Sequence, residues 1–234
     1  MTTRELWHNI MFYLGHDRMP VCHWGGWGET RTRWISEGLP PDANEHQYFD
    51  AVPMWAGVGV HIGLLPDFPY EKISETDEYV IHRTGEGIIE QAWKNKSCIP
   101  HYIDFTLKTA KDWDEYKKRL QPGPARIPAD LEAQIKNVEA CDLPIVFGTA
   151  SLMGWIRNWM GVENMSYLMY DDPDCYADMV NTLADLTCWG IDQVLPKMQF
   201  KPLLGHGWED ICGKSGPLVS QQIFRKCVSP GYTK

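Results

Sequence analysis

No stretch of the chain reaches the roughly 18 consecutive apolar residues that a membrane-spanning helix requires, so nothing in it is expected to cross a bilayer. The opening residues, Met1-Thr2-Thr3-Arg4-Glu5, lack the apolar core of a signal peptide. Cations are in the minority. Lys and Arg number 22 against 31 Asp and Glu, and the net charge of −9 argues against a nucleic-acid surface. A P-loop, GxGxxG, HExxH, GxSxG and paired CxxC are all missing, which removes several enzyme classes. No internal repeat or low-complexity tract is visible. The seven cysteines (22, 98, 141, 175, 188, 212 and 227) are odd in number and scattered, which suits reduced thiols in a cytoplasmic protein better than a disulfide framework. What remains is a globular enzyme or binding protein. Its 234 residues fit one large domain or two small ones, with 44% hydrophobic content and 11 Trp to fill a core.

The order of patterns along the chain is that of an α/β fold. Leu6, Trp7, Ile10, Met11 and Leu14 form a helical stripe in the first segment. Met19 to Trp24 is short and apolar, a candidate first strand, with His23, Trp24 and the glycines of Gly25-Gly26-Trp27-Gly28 at its tip. His23 there is an acid, base or ligand candidate, or simply a hydrogen-bonded core histidine. Helices are expected from Thr30 to Gly38 and from Asn44 to Asp50, and Val58 to Leu65 alternates weakly. Between about 70 and 105, Glu78 to Arg83 and Ile88 to Trp93 flank a glycine-containing turn and read as an antiparallel hairpin, with Ser97 to Phe105 as a further strand. Cys98-x-x-His101 has metal-like spacing but no second pair.

The second half reads more plainly. Thr109 and Asp112 open a helix with a near capping box, and Ile127 to Ala140 carries a helical apolar face. Leu143 to Gly148 is the best parallel-strand candidate, leading through Thr149-Ala150-Ser151 into a helix with Trp155 and Arg157. Arg157 fits either a substrate carboxylate or phosphate, or a helix-surface ion pair. Pro173 opens a long helix to about Met198.

Leu203 to Ser220 concentrates the chemistry. A short apolar run ends in His206, Trp208, Glu209, Asp210 and Lys214, and a helical pattern follows from Gln221. Ligands gather at the carboxyl ends of strands in such units, so Trp208-Glu209-Asp210 reads as the rim of a site; the plain alternative is a loop whose acids cap turns.

Trp208-Glu209-Asp210, then Lys214-Ser215-Gly216-Pro217-Leu218-Val219-Ser220 and Pro230-Gly231-Tyr232, resemble the uroporphyrinogen decarboxylase superfamily. So do Arg18-Met19-Pro20-Val21 with Trp24 to Thr30, and Gly154 to Gly161 with Tyr170-Asp171-Asp172-Pro173. The closest likeness is to the branch with corrinoid-linked methyltransferases. The resemblance implies a single TIM (β/α)8-type barrel domain over residues 1–234, carrying the antiparallel hairpin as an insertion. Such a barrel needs about 250 residues before insertions, so roughly three βα units are expected to lie beyond Lys234 and the barrel to be incomplete. The family's zinc ligands, a His-x-Cys pair and a later Cys, would also fall there, so no metal or cofactor is expected within this chain; zinc and a corrinoid on a partner protein belong to a full-length parent. The arginine-bearing loop of true decarboxylases is replaced here by Gly25-Gly26-Trp27-Gly28-Glu29-Thr30-Arg31, which moves the expectation from decarboxylation toward methyl transfer. On this reading Glu29, Glu209, Asp210 and His23 supply acid–base groups, with carboxyl pKa values raised where burial desolvates them. Trp24, Trp27, Arg157, His206, Trp208 and Lys214 hold a small-molecule substrate. A corrinoid protein and a second copy of the chain are the expected partners. The rival reading is a non-catalytic remnant.

Overall fold

The computed structural model describes residues 1–23 and 25–234. Its centre is a parallel sheet of three short strands, β1 (Ala56–Val58), β6 (Ile145–Gly148) and β7 (Leu204–His206), in the order β1-β6-β7. Val58 pairs with Phe147 and Phe147 with Gly205, while Gly148 pairs with His206. One face of this sheet, through Val58, Ile145 and Phe147, packs on Leu131, Ile135 and Val138 of α5 (Leu131–Ala140) and Val194 of α7 (Pro173–Val194). Apolar burial on that face fixes the register, since a slip of one residue would turn Phe147 to the other side.

A second sheet is wholly antiparallel, in the order β2 (Glu71–Glu75), β3 (Tyr79–Arg83), β4 (Ile88–Trp93) and β5 (His101–Phe105). The hairpin expected at 70–105 is therefore a four-stranded meander. Its turn at Thr84 to Ile88 passes through Gly87 at φ +82°, where a Cβ would lie 2.6 Å from the Tyr116 hydroxyl. That hydroxyl donates to the Glu86 carbonyl at 2.8 Å and ties the meander to α4 (Ala110–Arg119). The Thr109–Asp112 capping box forms as expected.

The larger core lies between α4, α6 (Gly154–Asp171), α7 and the C-terminal helical turns, with Tyr116, Trp159, Met160, Met165, Tyr176 and Met179 fully enclosed. α6 is two helical halves joined at Gly161, whose φ of +77° breaks the helical path beneath the Phe105 ring. Asp172 caps α7 by accepting from the Cys175 amide, and Pro173 takes the first turn, where a missing N–H costs nothing. Among the described residues Arg126, 2% exposed, is the buried charged group. It donates to the carbonyls of Gln121, His61, Gly63 and Arg119, and so clamps the loop after β1 to the end of α4.

The α/β class, with a parallel sheet and an antiparallel insertion, is as expected; among the described residues the parallel sheet has three strands, with β1 and β7 as its outer members, and no closed barrel forms. One expectation is corrected. Met19 to His23, the described part of the segment expected as a first strand from Met19 to Trp24, is irregular, with the side chains of Met19 and Val21 largely exposed. Among the described residues no helix is long and apolar enough to cross a membrane.

Candidate functional site

Beyond the carboxyl ends of the parallel strands lies a cleft of about 510 Å3, where open sheets of this kind expose their ligand sites. Gly57 and Gly148 leave bare backbone at its floor, since a Cβ on either would meet nothing within 4 Å. Thr149, Ser151 and Trp155 from the β6–α6 connection line one side, and His206 and Trp208 from the end of β7 line another. His206 stands opposite Gly148 in the register, so its ring rises on the open face, where Trp55 packs against it with centroids 4.7 Å apart.

The rim is held in place by Glu209. Its carboxylate accepts from the backbone N–H of Met153 at 2.9 Å and of Gly154 at 2.8 Å, and from the Tyr232 hydroxyl. Met153 and Gly154 open the first half of α6, where amides without an intrahelical partner favour an anion. Burial, together with the neighbouring carboxylate, raises the Tyr232 hydroxyl pKa and keeps it a donor. The Ser151 hydroxyl donates to the Trp208 carbonyl, fixing the residue before Glu209. Gly154 is required here, because a Cβ would overlap Ser151 Oγ and stand 3.2 Å from a Glu209 oxygen. Arg157 donates to the Asp210 carbonyl at 2.9 Å and to its carboxylate at 3.4 Å, with a further bond to Asn158. The rim therefore contains one internal anion site, occupied by Glu209, and one ion pair.

Of the residues singled out in the sequence, His206, Trp208, Glu209, Asp210 and Arg157 come together. Glu209 and Arg157 act as positioning groups, their polar atoms engaged by the protein itself. His23 and Glu29 make their contacts elsewhere. His23 Nε2 lies 2.6 Å from Glu45, which also binds Arg31, so this trio joins the irregular N-terminal segment to α2 (Gly28–Ser36) and α3 (Glu45–Tyr48). Glu29 accepts from the Ser97 amide in the β4–β5 turn, and that bond lowers its carboxyl pKa, opposite to the rise expected on burial. Trp27 precedes α2 and is 53% exposed; Lys214 is exposed at the tip of the hairpin β8 (Cys212–Gly213) and β9 (Gly216–Pro217). Trp24 lies outside the described residues.

Sequence reasoning did not assign Ser151, Trp155, Tyr232 or Trp55 to the site. Ser151 and Trp155 were marked by the strand-to-helix transition after Gly148; Trp55 carried no signal.

Glu209→Gln is expected to cost about 2 kcal/mol of stability, because one of its two acceptor oxygens becomes an amide that faces a donor. Urea denaturation measures this. Unchanged stability would remove Glu209 from this positioning role.

No group of three His, Cys, Asp or Glu side chains converges as a metal set among the described residues. Set beside family models, curated proteins and solved structures, the chain matches none of them.

Proposed function

We propose that the chain acts on a small organic molecule in the cleft above the parallel strands, by methyl transfer of the kind implied by its resemblance to the uroporphyrinogen decarboxylase superfamily. A corrinoid protein is the partner that exchanges the methyl group, and the three parallel strands are part of a barrel wall. The observation that favours methyl transfer over decarboxylation is the cleft lining. Among its described residues stand glycine, aliphatic, hydroxyl, amide, Trp and His groups, and no Lys or Arg. A polycarboxylated tetrapyrrole would need cations to replace the water around its carboxylates. The nearby guanidinium, Arg157, is engaged by Asp210 and Asn158.

On this reading Trp155 and Trp208 present apolar surface to the substrate, Ser151 and Glu209 hold the backbone at Trp208 in place, and the His206 ring borders the reacting group. The described residues do not fit a zinc ion, so no step runs through one. The seven free thiols suit a reducing compartment such as the cytoplasm.

The test is to mix the purified chain with a reduced corrinoid and a panel of methylated amines, thiols and ethers, and to follow methylation of the cobalt by absorbance. Turnover that falls at least a hundredfold in His206→Ala, with the fold retained by circular dichroism, is the expected result. Tight binding of uroporphyrin that is weakened by Trp208→Leu, with no methyl transfer, would give first place to decarboxylation.

A further inference from the structure

We infer that the cleft is a site for a quaternary ammonium cation, a substrate class that rests on the reading of this cleft as the substrate site. A quaternary ammonium has no hydrogen to donate and spreads its charge over methyl groups, so it is bound by aromatic faces rather than by a carboxylate in direct contact. The lining provides that chemistry. Trp155 and Trp208 line the cleft together with His206, against which Trp55 packs at 4.7 Å. At Gly57 and Gly148 the floor is backbone, and a Cβ there would meet nothing within 4 Å, which leaves space for a compact group. Thr149 and Ser151 bring hydroxyls to the same wall, though the Ser151 hydrogen is committed to the Trp208 carbonyl.

The charges around the cleft point the same way. Next to Trp208 in the chain stand Glu209, whose carboxylate is held by the amides of Met153 and Gly154, and Asp210, whose carboxylate pairs with Arg157, so that two carboxylates stand against one guanidinium. The chain as a whole is at −9. Both fields raise the local concentration of cations and repel anions. A primary ammonium would need acceptors for three N–H groups, and an anion would need donors or cations. Among the described lining residues no Asp, Glu, Lys or Arg supplies a direct counter-charge to either.

Calorimetric titration of the full chain with choline and with 3,3-dimethylbutan-1-ol, its uncharged carbon isostere, separates charge from shape. Choline is expected to bind about tenfold more tightly than the isostere, with the preference lost in Trp208→Leu and largely kept in Trp208→Phe. Trp208 is 55% exposed, so these variants should fold; Trp155→Leu provides a second removal of an aromatic face. Equal affinities, or a preference that survives both leucine variants, would overturn the quaternary ammonium assignment and leave the cleft as a site for neutral molecules. Binding of neither ligand, in a protein that methylates a corrinoid from a thiol or ether, would also overturn it while the methyl-transfer reading stands. Binding of neither with no methyl transfer would overturn both.

Discussion

Replacing Arg126 with Met is expected to lower the unfolding free energy by about 3–5 kcal/mol. The guanidinium is enclosed and bonds four backbone carbonyls, those of Gln121, His61, Gly63 and Arg119, and its own carbonyl accepts from the His61 amide at 2.9 Å. Among the described residues no carboxylate is paired with it, and burial pulls its pKa down from the usual arginine value. The charge is thus solvated by peptide oxygens alone. Methionine fills much of the volume but leaves four acceptors facing an apolar group, each costing on the order of 1–3 kcal/mol, of which water admitted through local opening recovers part. Arg126→Lys should recover less than half of the loss, since one ammonium cannot reach carbonyls arranged around a planar fork. Equilibrium denaturation in urea measures both variants. A loss below about 1 kcal/mol for the methionine variant would mean that these carbonyls find other donors cheaply.

The second large effect is expected at Gly161. Its φ of +77° lies where side chains are rarely tolerated, and a Cβ would stand 2.6 Å from Cε2 and 2.9 Å from Cζ of Phe105. Gly161→Val combines about 1–3 kcal/mol of backbone strain with a comparable cost of overpacking, about 4 kcal/mol in all. Gly161→Ala should cost roughly half of that. Phe105 ends β5, so the overpacking acts on the junction between the meander and α6. Adding Phe105→Ala to Gly161→Val separates the two causes: the steric share is relieved and the dihedral share remains. If the double variant is no better than the two losses added together, the contact with Phe105 is not what makes glycine necessary.

The residues explain why some of this fold was readable in advance and some was not. Thr109 with Asp112, Pro173 after two aspartates, and the run Leu143 to Gly148 each carry a local signal with one dominant meaning, and each became the element it indicated. Met19 to His23 has the same apolar texture as a short strand, but a strand also needs a partner, and partnership is not a local property. The first meander strand, Glu71-Lys72-Ile73-Ser74-Glu75, is exposed along its length; its ladder to β3 is made by the backbone, leaving no alternation to read. At the site, His206, Trp208, Glu209 and Asp210 were visible because they crowd the end of one apolar run. Their division of labour was not visible. Whether a carboxylate faces solvent or two amides of α6 depends on where a helix 55 residues earlier begins, as the Gly154–Glu209 bond demonstrates.

The strand order carries a consequence for how the chain reaches its native state. In the meander each strand pairs with the one before it, so every closure is a short turn. In the parallel sheet Ala56 must find Ile145, with the entire meander and two helices between them. Loop-closure entropy and the slowness of non-local pairing place that event late. The carboxyl end of the parallel sheet, and with it the cleft, is therefore the last part of the molecule to be assembled, on a scaffold of meander and helices that has already condensed.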